Sequence, residues 1–334
     1  MGFLATIRSQ EPLAKDDGYN FLRIAHVQPL GIAIWQIGDQ LYNNGFYGGD
    51  HTTDPDLHGP APAKAKDFGK LEKNPNLSPE FYGQRVLAYA AAMRAVDPSI
   101  KIGATLTTPP EGEKYAPGWN SKVLKTGCSG IDFVTLDWQV SPLLPPDWKT
   151  LNEEQLLGNA RQQIGEILNG LLNENKRDCP KDHLPRIAFA PASIASFPKI
   201  ERLVAMTLWV ADTFAILAET GAETVSWREM HGESMLSNDN KSFGPAFMGM
   251  EMLHILAHSP GDVFVKAESS NSTVAAHATR RRDGVIGLML INEDPKAAAT
   301  ITFTITGGAV GQRDGALTME LPSKRAVRRL RSPK

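Results

Sequence analysis

The chain has 334 residues, with 35 Lys and Arg against 37 Asp and Glu and a formal charge of -2 at pH 7. Its 42% hydrophobic and 22% charged content is that of an ordinary globular protein, long enough to bury a sizeable core. The near-neutral balance gives no field to recruit nucleic acid or an anionic membrane, and no apolar run approaches the roughly 18 residues of a membrane span.

The N-terminus, MGFLATIRSQEPLAK, lacks the basic stretch, apolar run and cleavage site of a signal peptide, and the compartment stays open, with the cytoplasm as the default. Met1-Gly2 with Thr6 fits a myristoylation pattern formally, but the motif is short. Cys128 and Cys179 have no metal-ligand spacing, and free thiols are the default expectation.

From about residue 30 to 235, strand-like and helix-like runs alternate, which indicates α/β architecture with parallel strands. The first strand is read at 31–37. A loop rich in Gly, Asp and Pro follows from Tyr42 to Asn76, and Ser78 with Pro79 then opens a helix that ends near Val96. Further strands are read at 100–106, 131–136, 186–190 and 223–227, five in all. Helices are expected over about 152–173 and 199–220, the first with Leu156, Leu157, Ala160, Ile164, Ile167, Leu168 and Leu171 at helical spacing.

After about residue 243 the pattern becomes short strands, at 263–266, 273–279, 285–292, 299–305 and 316–321, with a turn signal at Arg282-Asp283-Gly284. No helix is evident there. The expected organisation is therefore an α/β domain over 1–242 and a small all-β sandwich over 243–334. The basic end, Lys324 to Arg331, is read as a solvated last strand and tail.

Trp35-Gln36-Ile37-Gly38-Asp39-Gln40, followed by Leu41-Tyr42-Asn43-Asn44-Gly45, resembles the fourth-strand motif of clan A retaining glycosidases. The arabinofuranosidase and xylosidase-like families are the most similar, with Trp-Glu-Ile-Gly-Asn-Glu in this place. Residues 132–138, 187–193, 217–227 and 288–295 resemble, in order, the sixth strand, the seventh strand, the last helix and strand, and a strand of the terminal sandwich. The resemblance implies a β/α barrel represented by its strands four to eight, an incomplete (β/α) barrel, followed by a sandwich.

It also implies where catalysis should sit, and there the residues differ. Gln40 occupies the acid/base place and Pro191 the nucleophile place, while Asp39 stands for Asn and Asp137 for His. Retaining hydrolysis needs two carboxyl groups about 5 Å apart. A glutamine has no acidic proton to give, and a proline side chain has no heteroatom. Remaining carboxylates near strand ends are Asp39, Asp137, Glu229 and Glu233, which would be candidates for a displaced pair. The simpler reading is that they form ion pairs, for example with Arg228, or face solvent.

Trp138 and Trp227 are candidates to stack on sugar rings, with Asn43 and Arg228 as polar partners; Trp35 is read as core. The loop Asp50 to His58 clusters acidic and imidazole groups but matches no metal motif, and no metal or cofactor is expected. Asn271-Ser272-Thr273 fits a glycosylation acceptor.

A closed barrel needs eight strand–helix units, so the sheet edges expected here must be covered. The N-terminal segment, the sandwich, another copy in a homo-oligomer, or a missing N-terminal half would do so. Three functions follow: a carbohydrate-binding protein with lost or impaired hydrolysis, a hydrolase with displaced carboxylates, or a non-enzymatic assembly module.

Overall fold

The computed structural model describes residues 4–7, 32–38, 41–43, 79–109, 117–136, 157, 160–189, 203–227, 235–236, 242–294, 296–303 and 317–321. Two compact units divide the chain. The first comprises Met1–Pro142, Glu166–Ser193 and Ala222–Arg228; the second comprises Leu143–Gly165, Ile194–Gly221 and Glu229–Lys334. No helix among the described residues is long and apolar enough to cross a membrane.

The first unit is built on a six-stranded parallel sheet in simple sequential order. Its strands are β1 (Leu4–Ile7), β2 (Ile34–Ile37), β3 (Lys101–Leu106), β4 (Phe133–Leu136), β5 (Arg186–Phe189) and β6 (Thr224–Val225). The sequence led us to expect five. The sixth is β1, four residues of the N-terminal segment, which pairs with β2 from Leu4↔Ile34 to Ile7↔Ile37 and so covers one expected edge. Among the described residues six strands are fewer than a closed ring of eight, so the sheet they form is an incomplete β/α barrel.

Alternation along the strands sorts their side chains into two faces. One face carries Trp35, Ile37, Ile102, Ala104, Leu106, Val134, Leu136, Ile187 and Phe189, all buried. The other carries Gln36, Lys101, Gly103, Thr105, Phe133, Thr135, Arg186 and Ala188. Burial on both sides is the mark of a parallel sheet covered by its crossovers.

A flat sheet would hold β3 and β6 about 14 Å apart, three strand spacings. Glu223, just before β6, is nonetheless paired with Lys101 of β3 and lies 2.5 Å from Arg186 of β5. These contacts require the sheet to curl toward the face that bears the two cations. Gly103 fits that concave side because it has no side chain: a Cβ there would lie 2.2 Å from the Phe133 ring.

Three helices accompany the sheet: α1 (Pro79–Arg94), α2 (Trp119–Gly127) and, from Glu166 onward, α3 (Ala160–Asp178), whose first residues belong to the second unit. Helix α1 begins at the expected proline, α2 was not anticipated, and α3 runs five residues beyond its expected end. The free-thiol expectation is corrected: Cys128 and Cys179 form a disulfide with their Cα atoms 5.8 Å apart. It joins the turn after α2 to the residue that follows α3. At the same rim, before the strands begin, Asp132 accepts from Arg94 and from the Ile102 amide, both at 2.6 Å, tying α1, β3 and β4 together.

The second unit contains α4 (Leu203–Glu219), α5 (Pro245–Leu256) and five antiparallel strands. These are β7 (Val263–Val265), β8 (Val274–Arg280), β9 (Ile286–Asn292), β10 (Ala299–Phe303) and β11 (Leu317–Leu321), all where the sequence places strands. The turn between β8 and β9 is closed by hydrogen bonds between Arg281 and Val285 and from Gly284 to Arg281. Sheets β7-β8-β9 and β10-β11 share a small apolar core of Val274, Ala276, Leu290 and Ala299, with Leu288 and Ile301 against it. That is a sandwich. Helix α5 corrects the expectation of no helix after residue 243.

Candidate functional site

In a sheet of parallel strands with crossover helices, ligands and catalytic groups gather beyond the C-terminal strand ends. In the first unit the C-terminal strand ends are Ile37, Leu106, Leu136, Phe189 and Val225. Every site position named from sequence follows one of these strand ends within eight residues along the chain. Asp39, Gln40, Asp137, Trp138, Pro191, Arg228, Glu229 and Glu233 themselves lie outside the described residues.

What can be built is the frame that brackets them. Strand β2 ends on Ile37, and Gly38 adopts a positive φ of 76°, a conformation costly for any residue with a Cβ. Before the turn, the buried Gln36 amide donates to the Gly38 carbonyl at 2.7 Å. After Asp39 and Gln40, the chain resumes as a short 3₁₀ turn, Leu41–Asn43, with Leu41 and Tyr42 buried. The described residues that flank Asp39 and Gln40 in sequence are thus held on both sides.

The tethers come from α1 and α2. The Tyr82 hydroxyl of α1 donates to the Ile37 carbonyl at 2.5 Å and accepts from the Thr105 amide at 2.8 Å. It thus bridges β2 and β3 where their ladder stops, since Ile37↔Ala104 is the last registered pair. Trp119 of α2 stacks on Tyr82 with ring centroids 5.5 Å apart and meets Tyr42 edge-on at 6.1 Å. Its indole N–H donates to the Thr105 carbonyl at 3.2 Å.

The extension of β3 is held by one amide. Asn120, 1% exposed, accepts from the Thr107 backbone N–H at 2.8 Å and from its hydroxyl at 2.9 Å. It donates to the Thr107 carbonyl at 2.9 Å and to Glu174 of α3 at 2.8 Å. That uses both donors and both acceptor positions of the amide. Sequence reasoning missed Tyr82, Trp119 and Asn120. Their spacing carries no motif, and only their three-dimensional placement under the strand ends reveals the role.

On β6, the Ser226 amide donates to the Phe189 carbonyl at 2.9 Å and extends the ladder past Val225. Trp227, half-buried, is the next residue. Trp35 is 1% exposed, so it is a core residue as the sequence suggested. Asn43 closes the 3₁₀ turn. No group of three or more acidic, His or Cys side chains among the described residues has the arrangement of a metal site.

No protein-family model and no curated protein matches the chain. Solved structures do. A family 51 α-L-arabinofuranosidase from Bifidobacterium longum aligns with a TM-score of 0.59 at 12% identity, over 96% of this chain and 71% of that one. A Glycoside Hydrolase Family 44 xyloglucanase from Paenibacillus polymyxa gives 0.61 at 12% identity, over 97% and 73%. An α-L-arabinofuranosidase from Thermotoga maritima gives 0.54 at 13% identity, over 95% and 77%.

At such identities the likeness concerns fold alone: the chain shares the β/α-barrel-type architecture of those proteins. Almost the whole chain takes part in the match, while part of each of those proteins has no counterpart in it.

Proposed function

We propose that this carbohydrate-active fold serves to bind an arabinoside- or xyloside-type glycan and that its hydrolytic chemistry is lost or strongly impaired. The observation that carries the reading is the β2 strand and its sequel. Trp35-Gln36-Ile37 ends on the anchored Gly38 turn, and Asp39-Gln40 follow in sequence, in the place that resembles the family's proton-donor motif.

An amide at Gln40 keeps a glutamate's shape and hydrogen-bonds a sugar oxygen, but it cannot protonate a leaving group. Loss of general acid catalysis alone lowers rates by about 10²- to 10⁴-fold. Pro191 in the nucleophile place removes the attacking oxygen and with it the covalent route. Binding is less demanding: it needs apolar faces and a few placed polar groups. Trp138 and Trp227 would supply the faces, and Asn43, Arg228, Asp39 and Asp137 the polar contacts.

Titration calorimetry of the full chain with arabinoxylan and xyloglucan oligosaccharides tests this reading. Saturable heat at millimolar sugar or below, weakened at least tenfold in Trp227→Ala, is the expected result. Absence of heat with every oligosaccharide at millimolar concentration would overturn it in favour of an assembly role.

A further inference from the structure

In the second unit, one buried histidine stands between two acids. His277 of β8 is fully buried, with Nε2 2.7 Å from Asp212 Oδ1 and Nδ1 2.7 Å from Glu219 Oε1. Strand alternation explains its direction. Val274 and Ala276 face the sandwich core, whereas His277 and Thr279 point the other way, where Thr279 donates to the Leu256 carbonyl of α5. Asp212 and Glu219 lie seven residues apart on α4, two helical turns, and so share a face.

Hydrogen-bond chemistry fixes the proton count. A neutral imidazole has one N–H, and an ionised carboxylate only accepts. Two short contacts from one ring to two carboxyl groups therefore require an additional proton, carried most simply as an imidazolium between two carboxylates. Glu219 adds a second reason: it is an anion at the C-terminal end of a helix with no basic residue in its last turn, where the backbone dipole repels negative charge. His277 and Arg161, whose guanidinium is 3.3 Å from Glu219, supply the missing positive charge.

Glu293, just after β9, is the third acid of the cluster. Burial first, and then the negative charge of Asp212, push its carboxyl up to about 8 against the pull of Arg161 and His277. Burial alone would lower the His277 pKa, but hydrogen bonds and charge from Asp212 and Glu219 reverse this and raise it to about 9. Among the described residues, the charged groups facing His277 are Asp212 and Glu219 from α4, Arg161 from α3 and Glu293 from the end of β9.

We propose that Asp212, Glu219, His277 and Glu293 form a proton-loaded clamp that fastens helix α4 to the β7-β8-β9 sheet and loosens as the solution becomes alkaline. At neutral pH the cluster balances, with two carboxylates against an imidazolium and a guanidinium and with Glu293 protonated. Deprotonating Glu293 and then His277 leaves three buried or half-buried carboxylates facing one exposed cation.

The direction of the pH effect follows from linkage. Both groups bind their proton more tightly in the folded chain than at their ordinary values of 4.5 and 6.5. The His277 contribution is complete below pH 6.5 and disappears as pH rises through about 9. That of Glu293 is complete below pH 4.5 and disappears as pH rises through about 8. Between pH 6.5 and 8 the two together weaken the folding equilibrium by up to about 100-fold per pH unit.

The test is urea unfolding of the full chain from pH 6 to 9.5, for the wild type and for Glu293→Gln, which keeps shape and hydrogen bonding but cannot ionise. The wild type should lose stability steadily as pH rises. The variant should lose it at about half the logarithmic slope below pH 8. Imidazole NMR, with the His277 signals assigned through His277→Gln, should show both ring nitrogens protonated at pH 8. Stability independent of pH between 6.5 and 9, equal slopes in the two proteins, or a His277 ring that deprotonates below pH 7 would each overturn the clamp. The NMR readout holds even if His277→Gln folds poorly, because Glu293→Gln perturbs the same signals.

Discussion

Asn120 grips Thr107 by three hydrogen bonds, accepting from its amide and hydroxyl and donating to its carbonyl, so that α2 dictates where β3 delivers its last residues. Replacing Asn120 by Ala leaves buried groups of Thr107 without partners, at a cost of about 1–3 kcal/mol for each unpaired polar group. The urea midpoint of Asn120→Ala should fall accordingly. Asn120→Asp should be no better, because it removes both donors and sets a carboxylate against Glu174.

Tyr82 offers a gentler probe of the same frame. Tyr82→Phe keeps the ring that stacks on Trp119 and removes only the hydroxyl between Ile37 and Thr105. A loss of about 1–3 kcal/mol is expected from the two backbone groups it leaves. If sugar binding depends on the β2 turn, calorimetry of this variant should show weaker affinity with the fold intact.

The concave face of the sheet depends on Gly103 making room for Phe133. Gly103→Ala should destabilise by about 1–3 kcal/mol through overpacking. Adding Phe133→Leu should return part of that loss. A double-mutant cycle with no coupling between the two positions would contradict the contact.

The disulfide between Cys128 and Cys179 closes a separation of 51 residues. Reduction, or the double Ser variant, should lower stability by about 2–4 kcal/mol. Mass analysis of the unreduced chain after thiol alkylation should find neither cysteine labelled. Disulfides of this kind persist in oxidising surroundings.

Much of the fold could be read from the chain because its signals are local. The apolar runs at Ile102 to Leu106 and Phe133 to Leu136 announce strands buried on both faces, and the Arg282-Asp283-Gly284 turn announces a hairpin. Helix α5 escaped for a physical reason: Pro245 to Leu256 is apolar on nearly every side, so it has no 3.6-residue contrast to detect. Strand β1 is only four residues long and is defined by its pairing with β2, not by its own pattern. Two cysteines 51 residues apart form no spacing motif.

The candidate site divides in the same way. Gln40 and Pro191 stand out through their place in a recognisable motif, whereas Tyr82, Trp119 and Asn120 are ordinary helix residues until their partners are seen. The same holds for His277, which reads as a polar residue in a short strand and acquires meaning only opposite Asp212 and Glu219.

The proposed loss of hydrolysis is tested most directly by nitrophenol release from aryl α-L-arabinofuranosides and β-xylosides by the purified full chain. The account predicts release indistinguishable from buffer, in the wild type and equally in Gln40→Glu, since a restored acid still lacks a nucleophile at Pro191. Turnover by the wild type that disappears in Glu229→Gln or Asp137→Asn would contradict it and assign catalysis to displaced carboxylates.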